Sequence, residues 1–143
     1  MKGDDRYVFD TNVIISALLF QDSTPGRAFR TALDRGHILV SLSTLTELSD
    51  VLGRKKFDRY LLREERESFL ISLVWQATIV DVAEQVKASR DPADDKFLDV
   101  ALSGHATCVV SGDEHLLELS PFRGIPIITP EAFLGYPDIV SER

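Results

Sequence analysis

The chain has 143 residues, 44% hydrophobic and 27% charged, with a net charge of −7 and a single cysteine, Cys108. That length suffices for one domain with a core of its own. The lone cysteine excludes an internal disulfide framework, and no apolar stretch approaches the roughly 20 residues of a membrane helix. The opening Met1-Lys2-Gly3-Asp4-Asp5 leaves no room for the apolar part of a signal peptide, so a soluble, cytoplasmic protein is expected, with no membrane partner. The negative charge speaks against binding nucleic acid through Lys and Arg alone. It is compatible with such binding if some of the acids hold divalent cations and reverse the local charge where a phosphate would sit.

Short β-rich runs alternate with helical patterns, which predicts an α/β protein with a mostly parallel sheet. Arg6-Tyr7-Val8-Phe9 reads as strand one and Asn12 to Phe20 as a short helix. Ser23-Thr24-Pro25-Gly26 supplies a cap and an early proline for a helix that Gly36 closes. Ile38-Leu39-Val40-Ser41 is strand two, followed by a helix from about Thr44 to Leu52 that ends at Gly53. Arg54 to Gln76 is the longest helical stretch, with Phe69, Leu70, Leu73 and Val74 at core-facing spacing. Thr78 to Val82 reads as strand three and Ala83 to Ser89 as a short helix. Asp91-Pro92-Ala93 opens a helix that runs to Gly104. Cys108 to Ser111 is strand four, Glu114 to Leu119 a short helix, Pro126 to Thr129 strand five, and Pro130 to Leu134 a final turn. With no repeat or linker, residues 1–134 are expected to form one domain and 135–143 a C-terminal tail.

Three acids fall where such a sheet places its chemistry, since ligands bind beyond the carboxyl ends of parallel strands: Asp10 follows strand one, Asp113 follows strand four, and Glu47 lies on the helix after strand two. A fourth position, Asp94 or Asp95, differs, because it opens the helix that leads into strand four rather than following a strand. If strands one and four are neighbours, all four could meet in one cleft. Like charges so gathered raise each other's pKa, and Mg²⁺ or Mn²⁺ would remove the conflict, because hard cations prefer carboxylate oxygens and water. Such ions support phosphodiester hydrolysis. Each acid also has a structural reading. Thr44-x-x-Glu47 matches a capping box, Asp91-Pro92-Ala93-Asp94 matches a capped helix start, and Asp113 could cap the helix at Glu114. Asp10 has no capping need that Thr11 or Asn12 could not meet. The coincidence of four is the argument.

Taken together, these motifs resemble the PIN-domain nucleases, in particular the prokaryotic VapC-like toxins of toxin–antitoxin pairs. Phe9-Asp10-Thr11-Asn12-Val13 resembles the family's opening motif and Thr46-Glu47-Leu48 its second. Asp91-Pro92-Ala93-Asp94-Asp95-Lys96-Phe97-Leu98 is similar to the third, and Val110-Ser111-Gly112-Asp113 with His115-Leu116-Leu117 to the fourth. The resemblance runs from about Tyr7 to Leu134. It implies a three-layer α/β/α fold with a five-stranded parallel sheet of order 3-2-1-4-5, and cleavage of single-stranded RNA. It also implies a divalent-metal site of Asp10, Glu47, Asp94 and Asp113, oriented by Thr11, Asn12 and Ser111. Asp10, Asp94 and Asp113 would bind Mg²⁺ or Mn²⁺ directly, with Glu47 sharing a metal or holding the attacking water. An antitoxin protein would be the partner. Neighbours on a helix point about 100° apart, so only one of Asp94 and Asp95 faces the metal; the spacing to Ala101 favours Asp94, with Asp95 as substitute and Asp99 as an accessory.

Arg54, Lys55, Lys56, Arg59 and Arg63 form the densest basic patch, either a solvated helix face or a guide for phosphate. His115 reads as a surface or capping residue or a phosphate donor, and Cys108 as a small core residue. Trp75 reads as core or as a dimer surface, which leaves a homodimer open. Two rival functions remain. A haloacid-dehalogenase-type phosphatase also ends strand one in Asp, but has a second Asp where Asn12 stands here. A nuclease-like domain could also serve as a non-catalytic binding module.

Overall fold

The structure is a computed structural model that describes residues 2–135. Strands β1 (Arg6–Phe9), β2 (His37–Val40), β3 (Thr78–Ile79), β4 (Cys108–Val110) and β5 (Ile127–Ile128) pair in parallel, in the order β3-β2-β1-β4-β5. Successive residues of a strand face opposite sides of a sheet, and both sides here are apolar. Tyr7, Phe9, Ile38, Val40, Cys108 and Val110 enter one core. Val8, Leu39 and Val109 enter the other. Burial on both faces is why these strands read as continuous apolar runs.

Helices α1 (Thr11–Leu19), α2 (Thr24–Arg35), α3 (Leu42–Leu52), α4 (Arg63–Gln76) and α7 (Pro130–Gly135) cover the first face. Helices α5 (Asp95–Ser103) and α6 (Glu114–Leu117) cover the second. The result is the expected α/β/α layering with the expected strand order. The tail expected from 135 onward lies, past Gly135, outside the described residues. Among the described residues, no helix is long and apolar enough to cross a membrane.

Three local expectations are corrected. First, Arg54 to Gln76 is not one helix: a 3-10 turn at Lys55–Phe57 precedes α4, which starts only at Arg63. The break is held by Arg66, whose guanidinium is buried and donates to the carbonyls of Leu52 (2.7 Å) and Arg54 (3.1 Å) and to the Asp58 carboxylate. The Leu52 carbonyl, left over at the end of α3, needs such a donor. Second, α4 buries Arg66 and Leu73 and half-buries Phe69 and Leu70, but Val74 is 39% exposed and Trp75 85% exposed. Trp75 therefore lies outside the core, on an outer face with Ile71.

Third, the segment expected as a helix at Ala83–Ser89 is irregular, non-helical chain. Four of its backbone N–H groups are met by one face of α5. Ser103 accepts from the Ala83 N–H (2.9 Å), Asp99 from Val86 (2.7 Å), and a single Asp95 oxygen from Ala88 (3.2 Å) and Ser89 (2.8 Å). Residues 95, 99 and 103 recur every four positions and so stand in one row. Asp95 and Asp99, considered above as metal ligands, are thus committed to this clamp. Replacing Asp95 with Ala orphans two N–H groups, which typically costs about 1–3 kcal/mol each when they are buried. Chemical denaturation of Asp95→Ala should show a loss at the lower end of that range, since the segment is only partly buried, and a loss under 0.5 kcal/mol would contradict the clamp.

Candidate metal centre

The ladder between β1 and β4 sets Phe9 opposite Val110, so the residues just after each strand come out side by side. The Asp10 N–H extends that pairing to the Val110 carbonyl at 3.1 Å. Asp10 is also the N-cap of α1, accepting from the Val13 N–H at 2.9 Å. A structural role for Asp10, discounted from sequence, is therefore real and coexists with its place at the strand end. Ser111, fully buried, donates its hydroxyl to Asp10 and accepts the Asp113 N–H at 2.9 Å. Asp113 in turn caps α6 through the His115 N–H at 2.8 Å.

Asp94 joins this pair from the 3-10 turn Pro92–Asp94 at the head of α5. Its carboxyl is within hydrogen-bonding reach of Asp113, and its pKa is pushed up to about 6 by burial first, then by Asp113, Asp91 and Asp10. One of its oxygens, Oδ2, is buried with no hydrogen-bond partner among the described residues. Asp10 is also raised, chiefly by desolvation and against the hydrogen bonds from Ser111 and Val13, with Asp113 adding to the rise. Two carboxylates in contact need a proton or a cation between them.

Glu47 stands beside this group but is not continuous with it. Its helix is capped by Ser41, with Thr44 returning the bond to the Ser41 N–H, so the capping box expected between Thr44 and Glu47 does not form. Glu47 instead accepts from the Thr11 hydroxyl and from Lys96 Nζ at 2.8 Å. Asp10 and Asp113 line a cleft of about 390 Å³ with Asn12, Ser16, Pro25 and Pro130. Glu47 opens onto a neighbouring hollow with Thr46, Asp50, Arg54 and Lys96. Asp10, Asp94 and Asp113 thus lie near enough to act on one another electrostatically, while Glu47 is bonded to Thr11, the residue after Asp10. Thr11 and Ser111 do orient carboxylates, whereas Asn12 is exposed on the cleft wall.

A PIN domain family model matches residues 6–115, a span that contains all four acids. The chain belongs to the PIN domain family. An uncharacterized protein of Methanocaldococcus jannaschii is 29% identical over 116 residues, 80% of this chain and 74% of that protein. Among solved structures, this PIN domain resembles a protein of Pyrobaculum aerophilum, with a TM-score of 0.62 at 16% identity over 93% of this chain and 89% of that one. It also resembles a chain of VapBC2 from Rickettsia felis, solved with a DNA fragment from their promoter, with a TM-score of 0.60 at 13% identity over 87% and 98% of the two chains. VapBC-1 from nontypeable Haemophilus influenzae gives a TM-score of 0.58 at 15% identity over 88% and 98%.

Sequence reasoning missed three contributors to this region of the PIN domain. Asp91 and His115 each offer an atom that lies, with one from Asp94, within a 4.8 Å cluster able to hold a metal ion. Asp91 had read as a helix cap, which it also is, accepting from the Ala93 N–H at 3.0 Å. Lys96 carried no signal, because its partner Glu47 lies 49 residues away.

The raised pKa of Asp94 makes the metal-free protein pH-sensitive. Its folded value of about 6 exceeds the ordinary 3.8, so between those values the folded state binds more protons than the unfolded one. The stabilisation from protonating Asp94 is complete below about pH 4 and is lost as the pH rises through about 6. Thermal melts in chelator should therefore show wild type losing stability relative to Asp94→Asn between pH 4 and pH 6. A gap between the two proteins that stays constant across that range would contradict the assignment.

Proposed function

We propose that this chain is a divalent-metal-dependent endoribonuclease that acts as the toxin of a toxin–antitoxin pair. The observation that carries this reading is the convergence of Asp10, Asp94 and Asp113 at the carboxyl ends of β1 and β4 with an acceptor oxygen that lacks a donor. The set fits a hard cation, being all carboxylate with one oxygen, Asp94 Oδ2, that lacks a donor. Membership of the PIN domain family supports nuclease chemistry. The likeness in fold to chains of VapBC complexes supports the toxin assignment and an antitoxin partner. The outer face of α4, with Ile71, Val74 and Trp75, offers apolar area to such a partner or to a second copy of the chain.

In this reading Asp10, Asp94 and Asp113 hold Mg²⁺ or Mn²⁺, and Glu47 completes the set from its own side. The bound metal would supply charge stabilisation at the phosphate and a more acidic water. The chain's residues do the positioning. Ser111 fixes Asp10 relative to Asp113, and Thr11 holds one Glu47 oxygen so that the carboxylate can accept a proton from the attacking water. Water adds to phosphorus, one bond from phosphorus to a ribose oxygen breaks, and that oxygen leaves with a proton. His115, beside Asp91 and Asp94, would contact a phosphate oxygen. Of the basic patch, Arg54 lines the hollow beside Glu47 and would receive the incoming strand, whereas Arg63 is engaged with Glu67 at 3.4 Å.

Neither rival gains an observation of its own. A phosphatase of the haloacid dehalogenase type would need an acid where Asn12 stands, and a purely binding module would not need a donorless oxygen among like charges. The test is cleavage of a panel of single-stranded RNAs with Mg²⁺ or Mn²⁺. Wild type should cut and lose activity in chelator. Asp10→Asn and Asp94→Asn should each lose at least about 100-fold, the scale of removing one electrostatic group from a transition-state site. Equal rates in the variants would refute the metal-site assignment, and tight metal binding with no cleavage would favour the binding module.

A further inference from the structure

Glu47 differs from the other acids in the charge of its partners: the donors to Asp10, the Val13 N–H and the Ser111 hydroxyl, are neutral, whereas one Glu47 oxygen is paired with a cation. Oε2 accepts from the Thr11 hydroxyl and Oε1 from the Lys96 ammonium at 2.8 Å. The ion pair is sheltered, with the two side chains only 22% and 27% exposed, and it joins the head of α5 to the second turn of α3. Lys96 forms a wall of two hollows, one shared with Glu47 and Arg54 and the other with Ser41, Leu42 and Asp99. Asp94, two residues before Lys96, has a buried oxygen with no hydrogen-bond donor among the described residues. The four acids are thus divided: three short of positive charge, and one supplied with it by the chain itself.

We propose that Lys96 takes the place of a second divalent cation at Glu47, so that the centre binds a single metal ion. The inference rests on the metal reading above and deepens it. An ammonium and a divalent ion on one carboxylate repel each other, and sheltering from solvent weakens the screening that would let them coexist. The lysine supplies a fixed positive charge beside the cleft that does not depend on metal concentration. It also holds Glu47 in one orientation. Lys96 is in these terms a positioning residue, acting through Glu47.

The experiment is a titration with Mn²⁺, counting ions per chain by calorimetry and by the electron paramagnetic resonance of free Mn²⁺. Wild type is expected to bind one. Lys96→Met keeps the apolar stem and removes the charge; it should bind a second ion at least tenfold more tightly than any second ion on wild type. Lys96→Arg should stay at one, and the double variant Lys96→Met with Glu47→Gln should return to one. If Lys96→Met fails to fold by circular dichroism, Lys96→Gln carries the same expectation. Two equivalent ions on wild type, or an unchanged single ion after the lysine is removed, would overturn the role of Lys96 and leave the metal centre standing. No Mn²⁺ bound to either protein would overturn both.

Discussion

Phe9 faces Val110 in the parallel ladder, and the hydrogen bond from the Asp10 N–H to the Val110 carbonyl carries that register one residue beyond the strand. Ser111 begins where this bond ends, and its hydroxyl reaches Asp10 while its oxygen receives the Asp113 N–H. One buried hydroxyl therefore measures the distance between the two turns that leave the sheet. The neighbouring geometry hangs on it: Asp94 meets Asp113 only because Asp113 is held at that turn, and the cleft between Asp10 and Asp113 has the width this bridge allows. A slip of one residue between β1 and β4 would also exchange the two apolar faces, so the same register that builds the core builds the centre.

The layering, the strand order and the positions of the acids were legible because they follow from local signals. Runs such as Tyr7-Val8-Phe9 and Cys108-Val109-Val110 are apolar on both faces, which says parallel and central, and acids placed just beyond them are visible in the chain itself. What escaped were the interactions between side chains and distant backbone. The segment at 83–89 carries helix-compatible residues, yet the donors on its own backbone are met by Asp95, Asp99 and Ser103. No local pattern announces that. The break before α4 was hidden for the same reason, since a buried arginine is read as surface until the carbonyls it serves are known. Asp94 and Asp95, adjacent in the chain, have different neighbours: Asp113 for the first, the backbone of Ala88 and Ser89 for the second.

The charge problem posed by composition is also resolved locally. A chain of net charge −7 keeps its acids apart where it can, pairing Glu118 with Arg90, Asp58 with Arg66 and Glu84 with Arg123. Between Asp10, Asp94 and Asp113 it does not, and the repulsion there is held by the packing around them. Such stored repulsion favours whatever cation enters, and the ligand's binding energy returns as stability of the fold.

Asp10 and Asp113 are helix caps as well as members of the acidic cluster. Asparagine caps a helix about as well as aspartate does, so a change of one atom type at either position removes charge from the cleft while leaving α1 and α6 anchored. The fold and its electrostatics are therefore separable by very small steps. A duplicated copy of the chain could drift to asparagine at both caps, keep its sheet and helices, and persist as a look-alike with less charge in the cleft.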